Sequence, residues 1–478
     1  MRRRLTIILA ITWVVPALLV VLATAAPAVA ATPPNFDVSR APGNEAENAI
    51  AVNPTNPNNV VAMSVLSDEE SGIFVGVSFD GGNSWATRVI GQGDALGEIC
   101  CDQQLAFDRY GNLWMTYLLN TTGRVPVALS TDGGLTFHEV AQIVPTSPTG
   151  SRSPTNVSPP KSRKVPGKHA EGDQPSIATG PNSVWVSYSS YPMKVVQAAG
   201  APVTGLGVHG SFTAPETVPT ANGRGNYGDT AVGPDGQVLV TYQSRDNGQG
   251  GSQIFTALDP DGLGPAGFSN PRLLARSRVG GFDYIAAKPN RSVDAEASLG
   301  WDQSGGSHDG RVYEVFTQER KNESDDMNIL FTYSDDEGAT WRPPVELNDD
   351  VGTNSQFDPA IAVDQASGLV GVSWYDARAD LGTGGPADSD GIPNDEVQIW
   401  ATYSANGGAN FTPNFQVSAG TSSAPAAGDY FDYGDYTHAA FASHRFYPAW
   451  SDNSNSTGDN PDGTLHEFDL FTARVVIP

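Results

Sequence analysis

The stretch VSFDGGNSWATR, Val77–Arg88, sets an acidic, glycine-rich turn between two runs that read as strands. It recurs as LSTDGGLTFHE from Leu129, YSDDEGATWRP from Tyr333 and YSANGGANFTP from Tyr403. All four fit Ser-x-Asp/Asn-x-Gly-x-x-Trp/Phe, and each follows an alternating apolar run. Four matches in one chain point to a repeat architecture. Gly81 and Gly82 supply the positive φ of a tight hairpin, and the Asp carboxylate can accept backbone amides across the turn. Ser78 and Asp80 are two apart and share one strand face, while the closing aromatic packs as an apolar anchor. The turn reads as a structural fastener, so Asp80, Asp132 and Asp336 are not candidates for chemistry.

A second pattern precedes these turns: a short apolar strand, a turn of Asn, Asp or Gly, then a more aromatic strand. It begins at Ala49, Gln104, Pro175, Thr230, Ala297, Pro359 and His438, which makes seven units. Alternation with regularly spaced turns is the signature of antiparallel strands. Four strands per unit around an axis make a β-propeller. The expectation is therefore an all-β propeller of four-stranded antiparallel blades over residues 31–478, seven-bladed by direct count and six-bladed if one unit is an insertion. Units three and four lack the Asp turn. Residues 146–173, Pro- and Ser-rich and basic, read as a flexible surface loop.

The chain opens MRRRLTIILAITWVVPALLVVLATAAPAVAA, a basic start, an apolar run and small residues, which reads as a secretory signal over residues 1–30. Removing its three arginines leaves 24 basic against 53 acidic residues, a net of −29. Such a charge disfavours nucleic acid and anionic membranes as partners. With 52 Gly, 35 Pro and 39% apolar residues, the composition suits a turn-rich β protein. The expected product is extracellular and monomeric. Its only cysteines, Cys100 and Cys101, are adjacent, and either pair with each other as a vicinal disulfide or remain thiols.

The four Asp turns on a four-stranded repeat resemble the bacterial neuraminidase repeat, or Asp-box, propellers, whose best-known members are sialidases. That resemblance implies a protein engaging an extracellular glycan, as an exo-glycosidase on terminal acidic sugars or as a non-catalytic binding or scaffold propeller. It implies three arginines on the substrate carboxylate, an acid/base Asp and a Tyr nucleophile, an exception to the two-carboxylate pattern of glycosidases. Guanidinium forks suit a planar carboxylate. The family's Phe/Tyr-Arg-Ile-Pro motif has no counterpart here; FDVSRAPGNEAENAIAV carries only Arg40.

On the face opposite the Asp turns, the candidates to hold an acidic group are Arg245 in YQSRDN, Arg320 in TQERKN and Arg378 in WYDARAD, the last beside the catalytic candidate Asp376. The alternative is that these arginines are surface ion pairs. The loop AAGDYFDYGDYTH offers Tyr433 and Tyr436 as nucleophile candidates and Tyr430 as an aromatic wall. An Asp enters the first strand of many units: Asp102, Asp173, Asp229, Asp358 and Asp435. At the axis these would crowd one mouth of the central channel and repel unless hydrogen-bonded, protonated or bridged by a cation. No cofactor is required, and calcium is the natural hard cation there. The segment ADSDGIPNDE, from Ala387, spaces its acids like a calcium loop without matching the EF-hand pattern.

Overall fold

The computed structural model describes residues 32–67, 71–146, 171–192, 194–244, 248–295, 297–385 and 387–478. The expected signal, residues 1–30, lies outside these, as does most of the expected 146–173 loop. Seven antiparallel sheets of four principal strands form a seven-bladed β-propeller. The inner strands are Glu45–Val52, Gly97–Phe107, Glu171–Thr179, Asn226–Val232, Ser298–Trp301, Gln356–Asp364 and His438–Ala442. Each packs against the next, and the seventh against the first, around a central channel.

The ring is closed by both ends of the chain. Blade seven takes His438–Ala442, Arg445–Asp452 and Asp469–Ala473 from the C-terminal end, and its outer strand is Asn35–Asp37 from the N-terminal end. Between blades four and five the chain departs from the repeat to form a small hairpin, Asp283–Ile285 paired with Lys288–Val293.

Alternation explains the packing: large apolar side chains on both faces of each sheet meet those of the neighbouring blade. Between blades five and six, Val315, Ile329 and Phe331 pack on Val372 and Trp374. The Asp turns join the third and fourth strands on one face, together with the turns between first and second strands. The second-to-third loops and the blade connections lie on the other, as the sequence predicts.

The four turns share one hydrogen-bond pattern. In the first, Ser78 Oγ donates to Asp80 Oδ1 at 2.8 Å and accepts from Gly82 N at 2.9 Å, while Asp80 accepts from Ser84 N at 2.9 Å and Ser84 Oγ at 2.6 Å. Ser130 and Asp132, Ser334 and Asp336, and Ser404 and Asn406 repeat the first pair. Ser78 is buried, so Ser78→Ala leaves the Gly82 amide without its acceptor and lowers stability by about 1 kcal/mol. Urea unfolding of this variant beside an exposed Ser84→Ala control measures the difference; equal losses would mean the buried hydroxyl has no special part.

Candidate functional site at the channel mouth

The inner strands break register at one level, near the mouth opposite the Asp turns. The breaks fall between Ala46 and Ala49, Cys101 and Gln104, Asp173 and Ser176, and Phe357 and Ala360. At them Glu47, Asp102, Gln174 and Asp358 take φ of 54°, 56°, 44° and 47°, a left-handed backbone that non-glycine residues rarely adopt. A bulge bends the strand and re-aims a side chain. Repeated around the ring, it gathers acids at the axis. Cys100 and Cys101 are disulfide-bonded to each other, directly before Asp102.

A guanidinium sits among these acids. Arg291, on the hairpin between blades four and five, donates from Nε to Asp435 Oδ1 and from Nη2 to Asp435 Oδ2, both at 2.5 Å, and reaches Glu47 Oε1 at 3.1 Å. Its neighbour Lys288 is fully buried and donates to Asp358 Oδ2 at 2.8 Å and Gly434 O at 2.7 Å. Gln174 spans two carboxylates: its backbone N–H donates to Asp102 Oδ2 at 2.8 Å and its Nε2 to Asp435 Oδ2 at 3.2 Å. Asp432 accepts from Asn290 N and Arg291 N, and the Phe431 ring lies 4.9 Å from the Arg291 guanidinium, so the tyrosine-rich loop is clamped onto the hairpin.

The charges differ by environment. Burial, with Asp173 and Asp435 nearby, pushes Asp102 up to about 7. Burial and Asp435 push Asp173 up to about 6, and burial raises Asp358 to about 6 against the pull of Lys288. Burial also raises Glu47 well above the usual carboxylate range. Asp435 goes the other way: burial opposes its charge, but the Arg291 fork outweighs it and holds the carboxyl below its ordinary value. One mouth thus holds a carboxyl raised to about 7 and, bridged to it by Gln174, a carboxyl held below its ordinary value.

Three of the five aspartates expected at the mouth, Asp102, Asp173 and Asp435, form one electrostatic group there. Asp358 joins through Lys288. Asp229 lies deeper in the channel, accepting from Leu299 N at 2.8 Å, Thr230 N at 2.7 Å and Ser176 Oγ at 2.5 Å. Of the carboxylates expected to hold calcium, Asp102 accepts from Gln174 N, Asp358 from Lys288 Nζ and Asp435 from Arg291. Among the described residues no group of three or more acidic, histidine or cysteine side chains is gathered so as to hold a metal ion. In the ADSDGIPNDE segment, Asp388 accepts from Gly384 N and Gly391 N, and Glu396 from Ser389 N.

Of the expected arginines, the two described, Arg320 and Arg378, do not converge. Arg320 pairs with Asp326 and Glu346, with half of its side chain exposed. Arg378 pairs with Asp376 and Asp349 and stacks 4.1 Å over Trp400. These two share no partner, and each is an ion pair at the blade periphery. Arg245 lies outside the described residues. Asp376 is buried and accepts from Trp374 Nε1 at 2.8 Å; Asp452 accepts in the same way from Trp450 in the next blade, so the pair recurs as a fastener of the repeat. Tyr433 is also displaced from the expected role. Its ring is in the core, 4.4 Å from Tyr375, and its hydroxyl accepts from Ala424 N at 3.0 Å. Tyr430 is exposed beside Phe431, while Tyr436 does line the mouth, edge-on to His438.

Sequence reading missed Arg291, Lys288 and Glu47. The one available signal was the extra length between units four and five, FDYIAAKPNRSVDAE, with two cations in an acidic chain.

No family model matches the chain, and no curated protein does. Similar solved structures include a variant of the α-L-arabinofuranosidase Arb93A from Fusarium graminearum, 13% identical over 70% of this chain and 88% of that one, with a TM-score of 0.44. Polysaccharide lyase Uly1 is 11% identical over 92% and 91%, with a TM-score of 0.48. The Trypanosoma rangeli sialidase is 13% identical over 90% and 55%, with a TM-score of 0.40. At these values no residue role passes from them to this chain.

Proposed function

We propose that this is an exported glycan-acting propeller that hydrolyses a glycosidic bond at the channel mouth, with Asp102 as proton donor and Asp435 as the fixed negative charge. The observation that carries this reading is the placing of two carboxyl groups, joined by Gln174, in unlike surroundings, Asp102 buried on the Gln174 N–H and Asp435 in the Arg291 fork, since acid and base roles follow from environments that push paired groups apart. Asp173 and Tyr436 complete the wall. The resemblance of the Asp turns to sialidase-type propellers agrees with a glycan as substrate.

The sugar is neutral or amino rather than acidic. A carboxylate-bearing sugar needs unpaired guanidinium groups, whereas Arg291 is held by Asp435 and Glu47, and the remaining acids would repel it. A non-catalytic binding propeller is the second reading. It is favoured by the cavity beneath the mouth, which at 30 Å³ holds about one water and no sugar ring, so a glycan must sit above it.

A panel of arabinan, sialyllactose and chromogenic neutral and amino glycosides, assayed for released sugar against a boiled control, tests both. Release from neutral or amino substrates is expected. Release from sialyllactose alone would overturn the sugar class, and no release from folded protein would leave the binding reading.

A further inference from the structure

Three carboxyl groups meet where the ring closes. Asp37 ends the N-terminal strand of blade seven, Asp469 opens the strand beside it, and Glu45 opens the inner strand of blade one. Asp37 and Asp469 are 1% exposed and Glu45 0%. Ser39 Oγ donates to Asp469 Oδ1 at 3.0 Å, and Arg40 N donates to Asp37 Oδ1 at 3.0 Å. Both oxygens of Glu45, Oδ2 of Asp37 and Oδ2 of Asp469 are buried without a hydrogen-bond partner.

Three adjacent buried carboxylates cannot all stay charged, because each loses its hydration and repels the others. The charged groups facing them do not neutralise them. Asp459 and Asp462 add negative charge from the loop before Asp469, and the Arg40 guanidinium turns outward onto Asp459 at 2.8 Å, with its side chain 58% exposed. Nor, among the described residues, is a metal-binding group of three or more such side chains assembled. The proton remains.

We propose that a proton shared between Asp37 and Asp469, beside a protonated Glu45, is the latch that holds the N-terminal strand in blade seven, and that the latch opens in mildly alkaline solution. Burial is the main cause that raises all three groups: Asp37 to about 6, Asp469 to about 8, and Glu45 well above its ordinary value. The sign follows. Carboxyls raised above their unfolded values stabilise the fold fully below about pH 4, and that contribution is lost as pH rises through about 8. Near pH 7 the Asp37–Asp469 pair titrates as a unit, one proton between two carboxylates. The rest of the seam is a three-residue strand, the Val38 N–H to Leu470 O bond at 2.8 Å, the Leu470 N–H to Ser39 Oγ bond at 2.9 Å, two bonds of the Asn35 side chain with Val417 O and Ala419 N, and the Val38 side chain buried with Phe74 and Tyr447.

Hydrogen exchange of the 33–44 segment, corrected for the intrinsic pH dependence of exchange, tests the latch. Protection is expected to fall about a hundredfold between pH 6 and pH 9, while the strand Val60–Leu66 holds steady, because local opening is read separately from global unfolding. Asp469→Asn, or Asp37→Asn if the first does not fold, should flatten the profile. A flat wild-type profile, or an equally steep one in the variant, would overturn the proposal. Protection restored at pH 9 by millimolar calcium would also overturn it, in favour of a cation latch.

Discussion

Arg291→Ala lowers the free energy of unfolding by about 3–5 kcal/mol at pH 8, and by much less at pH 5. The magnitude is that of removing one partner from a buried ion pair and leaving the other uncompensated. Here Asp435 loses the fork that balances it, and Glu47 loses a donor. The pH dependence follows from their protonation. In the wild type Asp435 is held below its ordinary value, so its contribution is present at neutral pH and fades in acid. In the variant burial acts unopposed, Asp435 takes up a proton more readily, and acid relieves the strain. Arg291→Lys falls between, because an ammonium cannot bridge both carboxylate oxygens and Glu47 at once. Denaturant titrations of the three proteins at both pH values decide the matter. A loss below about 1 kcal/mol, or an equal loss at both pH values, would mean the guanidinium is not what neutralises the mouth.

Asp102→Asn reduces turnover by about 10² to 10⁴, the usual contribution of a general acid, while melting is unchanged or raised. The amide fits the same space and still accepts from Gln174 N, but it has no transferable proton. Because Asp102 sits at about 7, the wild-type rate falls as pH climbs through neutrality, and this limb disappears in the variant. The apparent value belongs to the group of Asp102, Asp173 and Asp435 rather than to one residue. A variant that keeps both its rate and its alkaline limb would move the acid role elsewhere.

The fold was legible because its fastener is local. Ser78, Asp80, Gly82 and Ser84 bond among themselves within seven residues, so the pattern survives in one dimension, and the strand–turn–strand unit that precedes it recurs once per blade. The aspartates at the mouth were legible for the same reason, each entering its unit at one place in the repeat. What neutralises them was not. Arg291 and Asp435 are 144 positions apart, and Arg291 stands on a hairpin that interrupts the repeat. The reading of Arg320 and Arg378 as convergent failed because in-register positions need not face the axis. Those loops follow the second strand, and Arg378 finds Asp376 only two residues away. Tyr433 misled for another reason: in DYFDYGDY every tyrosine looks alike, and only three-dimensional packing separates the exposed Tyr430 from the core Tyr433.

The strand Asn35–Asp37 has a consequence for the order of folding. Blade seven pairs residues 430 positions apart, Ser39 with Asp469, so the first residues of the ring to leave the ribosome are among the last to find their place. Blades one to six can form in sequence from local hairpins, but the ring remains an open crescent until the C-terminal strands arrive. Closure of so long a loop is slow by topology alone, because chain entropy must be lost before the contacts reward it. Until the N-terminal strand docks, the outer edge of Asp469–Ala473 lacks a partner and is open to pairing with another chain. Refolding from denaturant should therefore show blade formation early and a slow final phase, with aggregation confined to that interval.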